Sequence, residues 1–243
     1  LDSSHYSGFC GDCYSIDAKG DTVAIVAGGR STDLILLKSV DNGITWTSTI
    51  LDTFPVAFYT DTIMMLPDTN GDGLGDDIEI NSGDAHVLID NNGVCHVWFS
   101  KILIHDPDSL SVLSYYPNLS DGLYYWNETF GSNPPVIIAA MEDIDGNGVI
   151  TVPSTGLNGG NGMGNYNGGA TQMPSAGTDE DNNIYVVYQT FCELADTTIY
   201  PGVGHKHSYL IRSVDNGATW SQPFDISEGN FNDGIYREGV FPR

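Results

Sequence analysis

The chain has 243 residues, with 8 Lys+Arg against 32 Asp+Glu and a formal net charge of −24. That balance repels nucleic acid and anionic membranes; it attracts cations, calcium above all, or serves solubility alone. No apolar run approaches the ~20 residues of a membrane span, and the length suits one sizeable β domain over residues 1–243.

The chain opens on Leu1 rather than Met, which reads as a processed product or part of a longer polypeptide. Cys10-Gly11-Asp12-Cys13 is a single CxxC. Zinc would need two more soft ligands at suitable spacing, so a local disulfide or two separate thiols is expected. A first hairpin is expected over Cys13–Gly29, turning at Lys19-Gly20-Asp21. An apolar run, Leu34–Leu37, then enters Ser39-Val40-Asp41-Asn42-Gly43-Ile44-Thr45-Trp46.

Residues 52–82 read as an insertion, and within it the stretch 67–80 reads as a calcium-binding loop. Asp68, Asn70, Asp72 and Glu79 satisfy D-x-[DN]-x-[DN]-G-x5-E, with Gly73 at the sharp turn. Hard oxygens at positions 1, 3 and 5 suit Ca2+; Leu74 would offer its carbonyl, and Asp76 a side chain or a water. Asp77 could replace Glu79 as the last ligand. The flanks, ending in Pro67 on one side and alternating as Ile78-Glu79-Ile80 on the other, are not helical.

A second hairpin is expected over Ala85–Lys101, turning at Asp90-Asn91-Asn92-Gly93, with Cys95 in mid-strand. The aromatics Tyr115, Tyr116, Tyr124, Tyr125, Trp126 and Phe130 follow, either as a sugar-stacking surface or as core strands. A third hairpin is expected over Val136–Pro153, turning at Asp145-Gly146-Asn147-Gly148. Asp143, Asp145 and Asn147 form the first half of a second calcium pattern without its twelfth-position acid, so a plain hairpin turn competes with a metal site. The Gly-rich segment 155–169 reads as a surface loop.

A fourth hairpin is expected over Met173–Thr190, turning at Asp181-Asn182-Asn183, with Cys192 just beyond its second strand. Cys95 and Cys192 read as buried thiols or as a cross-link between sheets. His205 and His207 are alternate residues that would share one strand face, which could hold a metal; a strand-edge pair with Lys206 between them is the commoner arrangement. Tyr209–Ile211 then leads into Ser213-Val214-Asp215-Asn216-Gly217-Ala218-Thr219-Trp220, seven of whose eight residues repeat the earlier octapeptide. Asp and Asn can fold back on their own backbone, Gly supplies the positive φ of a tight hairpin, and Trp is expected to bury its ring behind the turn.

This Ser-x-Asp-x-Gly-x-Thr-Trp pattern resembles the Asp-box (BNR repeat) of sialidase-like β-propellers. The resemblance implies an all-β fold of four-stranded antiparallel blades, with each box joining the third strand to the fourth on the rim away from the catalytic face. The structural residues would be Ser39, Asp41, Gly43, Thr45 and Trp46, and Ser213, Asp215, Gly217, Thr219 and Trp220. The octapeptides lie 174 residues apart, or three repeats of 58. That predicts about four blades of a six- or seven-bladed propeller, a closed four-bladed ring being the alternative. The 68–79 loop resembles the Asp-rich calcium loops of dockerin and thrombospondin type 3 repeats.

The sialidase family clamps its substrate with three arginines and uses a Tyr–Glu pair and an Asp. This chain offers Arg30, Arg212, Arg237 and Arg243, Arg212 directly precedes a box, and no catalytic residue carries over. The leading expectation is therefore an exported, calcium-stabilised binding or display module of a secreted or cell-surface protein, with protein or glycan as partner. Its style also resembles type IX secretion cargo. The alternatives are a sialidase-type glycoside hydrolase whose arginines lie largely outside this chain, and a purely structural module of a large adhesin.

Overall fold

The computed structural model describes residues 10–60, 64–150, 168–193 and 206–227. The strands run β1 (Tyr14–Lys19), β2 (Thr22–Gly29), β3 (Thr32–Ser39), β4 (Thr47–Asp52), β5 (Ile78–Asn81), β6 (His86–Ile89), β7 (Cys95–Phe99) and β8 (Lys101–His105). They continue as β9 (Ser114–Tyr116), β10 (Leu123–Asn127), β11 (Val136–Ala139), β12 (Gln172–Thr178), β13 (Ile184–Phe191), β14 (Lys206–Ser213) and β15 (Phe224–Asp225). The fold is all-β. Three sheets are four-stranded, ordered β1-β2-β3-β4, β6-β7-β10-β11 and β12-β13-β14-β15, and one is three-stranded, β5-β8-β9. Every described pairing is antiparallel.

The first strands of the three larger sheets lie side by side, β6 packing against both β1 and β12, as the inner strands of propeller blades do. The second sheet is buried on both faces. Period-2 alternation sends Cys95, Val97 and Phe99 of β7 into a core with Ala24, Val26, Leu34 and Leu36 of the first sheet. Trp98 points the other way, into a core with Tyr125 and with Ile184, Val186, Tyr188 and Ile211 of the third sheet. A third core, under the three-stranded sheet, gathers Phe54, Tyr59, Leu66, Ile102 and Ile104 from the 52–82 insertion and β8. The opposite face of the first sheet carries Tyr14, Ile16 and Ile50, all exposed.

The first, second and fourth expected hairpins are β1–β2, β6–β7 and β12–β13. The third is not. Val136–Ala139 pairs with β10 as the outer strand of the second sheet, and residues 140–150 form no strand. The reason is the aromatic strand Leu123–Asn127: Tyr125 and Trp126 are buried there, so this segment takes the third position of the sheet and Val136–Ala139 closes its edge. The stretch 151–153, most of the Gly-rich loop (155–167), His205, Arg237 and Arg243 lie outside the described residues.

The two octapeptides fold alike, each joining the third strand of its sheet to the fourth. Ser39 Oγ donates to Asp41 Oδ1 at 2.7 Å and accepts from Gly43 N at 2.8 Å; Ser213 Oγ does the same with Asp215 and Gly217 at 2.8 and 2.8 Å. Asp41 accepts from Thr45 N and Oγ1 at 2.8 and 2.6 Å, and Asp215 accepts from Thr219 at the same distances. These bonds, led by the Thr hydroxyls, hold both carboxyls down at about 2. Asn42 and Asn216 take φ of 56° and 58°, a left-handed conformation that Asn tolerates.

The tryptophans diverge. Trp220 packs edge-on against Trp98 and Tyr125 of the second sheet, at 6.3 and 5.1 Å between centroids. Trp46 is 42% exposed and donates Nε1–H to Gly43 O at 2.9 Å, contrary to the expected burial.

Candidate functional site

A cleft of about 740 Å³ opens between β4 and the second sheet. Its floor is aromatic. Tyr124 stacks on Phe99 with centroids 5.4 Å apart, and Trp126 lines the wall. Lys101 Nζ lies 5.1 Å over the Tyr124 ring and 2.7 Å from Asp52 Oδ1. Asp52 Oδ2 accepts from Asn81 N at 2.9 Å, which fixes the carboxylate. Burial pushes the Asp52 carboxyl up, and Lys101 opposes that shift. Burial also raises the Tyr124 phenol, helped by Glu79, Asp52 and Asp121. At the far wall, Glu128 accepts from Lys38 Nζ at 2.7 Å and from Cys95 N at 2.8 Å. An aromatic floor beside fixed donors and acceptors suits a flat polyhydroxylated ligand, whose C–H face can stack while its hydroxyls pair with the charged groups.

The aromatic stretch therefore divides. Tyr125 and Trp126 are core, Tyr124 lines the cleft, and exposed Tyr115 lies 5.1 Å under the Arg30 guanidinium.

The two acidic loops adopt one conformation. Asp68 caps Gly71 N and Gly73 N at 2.6 and 2.8 Å, while Asp143 caps Gly146 N and Gly148 N at 2.8 and 2.7 Å. Asn70 and Asp145 accept from the N–H two residues on, at 2.9 and 3.0 Å. Asp72 and Asn147 repeat this with Leu74 and Val149, at 2.9 and 2.7 Å. The four glycines all have positive φ, between 70° and 89°.

The loops differ in where their remaining acids go. In the first, Asp76 turns to Thr69, whose hydroxyl lowers its pKa, and to Asn70 Nδ2 at 2.5 Å. Asp77 meets His105 Nδ1 at 2.5 Å, Leu74 is exposed, and Glu79 lies on β5. No three of the first loop's carboxylates have oxygens within 4.8 Å of one another. In the second, Asp143 and Asp145 do converge within 4.8 Å on an acid the sequence did not reveal, Glu193. Glu193 is 1% exposed, follows β13, and accepts from Ile144 N at 2.7 Å. It is 50 residues from Asp143, so no local spacing could disclose it. β13 begins at the turn that touches the second octapeptide, through Asn182 Nδ2 and Asn216 Oδ1 at 2.9 Å, so Glu193 sits at the opposite end of the sheet.

Cys10 and Cys13 form a disulfide; Cys95 and Cys192 are buried free thiols and do not cross-link the sheets. Of the described arginines, Arg30 follows β2 and Arg212 lies on β14 one residue before the second octapeptide, so these two do not form a clamp.

No family model and no curated protein matches the chain. Among solved structures it is similar to a Hadza microbial sialidase (14% identity, TM-score 0.43, covering 90% of this chain and 38% of that one). It is similar to an ulvan lyase, a polysaccharide lyase (11% identity, TM-score 0.34, 86% and 36%). It is also similar to an endo-arabinanase from Bacillus licheniformis (13% identity, TM-score 0.26, 93% and 82%). The chain thus spans little more than a third of the length of the first two.

Proposed function

We propose that this chain is part of an exported, calcium-stabilised β-propeller that binds glycans at the cleft between its first two blades. The observation that carries the reading is the Tyr124 ring, flanked by the fixed Asp52–Lys101 pair in a cleft of ligand size. The Cys10–Cys13 disulfide supports an oxidising compartment, and no helix of the described residues is long and apolar enough to cross a membrane. The octapeptides are read as Asp-boxes, which hold the blades rather than the ligand. Calcium at the two Asp-rich loops would offset the repulsion among their clustered carboxylates in a chain of net charge −24. The exposed Tyr14–Ile16–Ile50 face of the first sheet suits a further blade, as in a secreted or cell-surface protein of which this chain is one part.

The test is a screen of acidic and neutral oligosaccharides by calorimetry, in calcium, on the wild type and on Tyr124→Ala. At least one ligand should bind, and about tenfold more weakly to the variant. No binding by the wild type, or equal binding by a Tyr124→Ala protein that melts as the wild type does, would overturn the reading.

A further inference from the structure

At the end of the third sheet away from the octapeptides, three donor atoms of three kinds meet. Cys192 directly follows β13, His207 sits on β14 and Asp225 on β15. One ligand atom from each lies within 4.8 Å of the others. Cys192 is 9% exposed and His207 2%, while the Asp225 side chain is 24% exposed. The group is therefore enclosed except on its carboxylate side.

Each member is held in place. His207 Nδ1 hydrogen-bonds Asp225 Oδ2, and its ring stacks on Tyr209 with centroids 6.3 Å apart. Asp225 Oδ1 accepts from Ser227 N at 2.9 Å, and Ser227 Oγ in turn accepts from Ser208 N at 2.8 Å. The backbone pairing of Tyr209 with Asp225 fixes the register that brings β15 to β14. Orientation by packing and by hydrogen bonds to the outer atoms is what a preformed metal centre requires.

We propose that Cys192, His207 and Asp225 form a binding site for a borderline-soft divalent transition metal of the zinc class. The donor set selects against calcium, which takes six to eight hard oxygens and disfavours sulfur. Three protein ligands of the sulfur, nitrogen and oxygen kinds satisfy three corners of a tetrahedron, and water takes the fourth through the open side at Asp225. Binding removes the thiol proton from Cys192 and the proton shared by His207 and Asp225. The site lies on the third sheet, whereas the cleft lies between the first and second, so it stands or falls independently of glycan binding.

Cobalt(II) reads the site directly. Chelator-stripped full chain, kept free of reductant so that Cys10–Cys13 stays oxidised, is titrated with Co2+ alone. The wild type should develop a near-ultraviolet thiolate-to-cobalt charge-transfer band and visible bands of tetrahedral intensity, saturating at one equivalent. Zinc should bleach both and calcium should not. Cys95→Ser should keep the spectrum, Cys192→Ser should lose the charge-transfer band, and Asp225→Asn should weaken affinity by at least about tenfold. His207→Gln, which keeps the thiol, should lose the tetrahedral bands and guards against a misfolded Cys192→Ser. A wild type without the charge-transfer band, or a folded Cys192→Ser that retains it, would overturn the assignment.

Discussion

Asn91, in the first turn of the second sheet, donates its backbone N–H to Asn182 Oδ1, in the first turn of the third, at 2.7 Å. Asn182 Nδ2 reaches back to Asp90 Oδ2 at 3.0 Å and across to Asn216 Oδ1 at 2.9 Å. Lys19, from the equivalent turn of the first sheet, closes the row on Asn91 Oδ1. One side chain thus ties two sheets and an octapeptide together. Asn182→Gly keeps the left-handed backbone (φ 65°) while deleting those bonds. We expect a loss of about 1–3 kcal/mol in urea unfolding, with the octapeptide amide Gly217 unshifted in NMR spectra of the folded state.

Gly43 and Gly217 separate backbone strain from packing. Both have strongly positive φ, 82° and 85°. A Cβ at Gly43 would meet only Trp46 Cζ2 at 3.5 Å, whereas a Cβ at Gly217 would overlap the Tyr125 hydroxyl. Gly43→Ala should cost about 1–2 kcal/mol. Gly217→Ala should cost about 1–3 kcal/mol more, because it forces Tyr125 out of the second core. Equal melting temperatures for the two variants would contradict the inter-sheet packing of the second octapeptide.

His96 should withdraw stability in mild acid. Burial lowers the His96 pKa below 6.5, and Asp90 only partly opposes it. Its Nδ1 is also engaged with the Tyr125 hydroxyl at 2.7 Å. The unfolded chain therefore takes up a proton that the folded one resists, and stability present above about pH 6.5 is lost as the pH falls below it. His86, lowered chiefly by burial, acts in the same direction. His207, whose pKa is raised to about 9, works in the opposite direction, so the check is a difference: from about pH 7.5 to about pH 5.5 the wild-type denaturant midpoint should decline relative to that of His96→Asn.

Calcium removal should reveal whether the two look-alike loops differ in strength. Excess EGTA should lower the melting temperature, since a ligand at a thousand times its Kd adds about 4 kcal/mol. Glu193→Gln should reduce the bound calcium by one equivalent and leave the 68–79 loop loaded; Asp68→Asn should do the converse. An EGTA-insensitive melt in the wild type would remove calcium from the proposed function.

Turn chemistry was the most readable layer of this sequence. Asp, Asn and Gly at 19–21, 90–93, 181–183 and in the octapeptides act through bonds to their own neighbours, so spacing alone places the hairpins. The assignment of Val136–Ala139 failed because strand membership depends on competition: the aromatic segment at 123–127, open in the sequence between a sugar-stacking surface and core strands, had more area to bury and took the third place in the sheet. Trp46 and Trp220 close near-identical octapeptides, yet Trp220 packs on Trp98 and Tyr125 of the facing sheet while Trp46 stays 42% exposed. Glu193 and Cys192 were illegible for a related reason. Their partners are Asp143 and Asp145 for one, and His207 and Asp225 for the other, delivered by other segments when the sheets assemble.

The two main cores share none of their buried side chains, and of the partly buried ones only Phe130 touches both. Such a stack is a short linear lattice with nearest-neighbour coupling, the first layer being tied besides to the three-stranded sheet through Asp52 and Asn81. Tension applied along the chain would peel a terminal layer first, while the doubly clasped middle, with Trp98 at its heart, would be the last to yield.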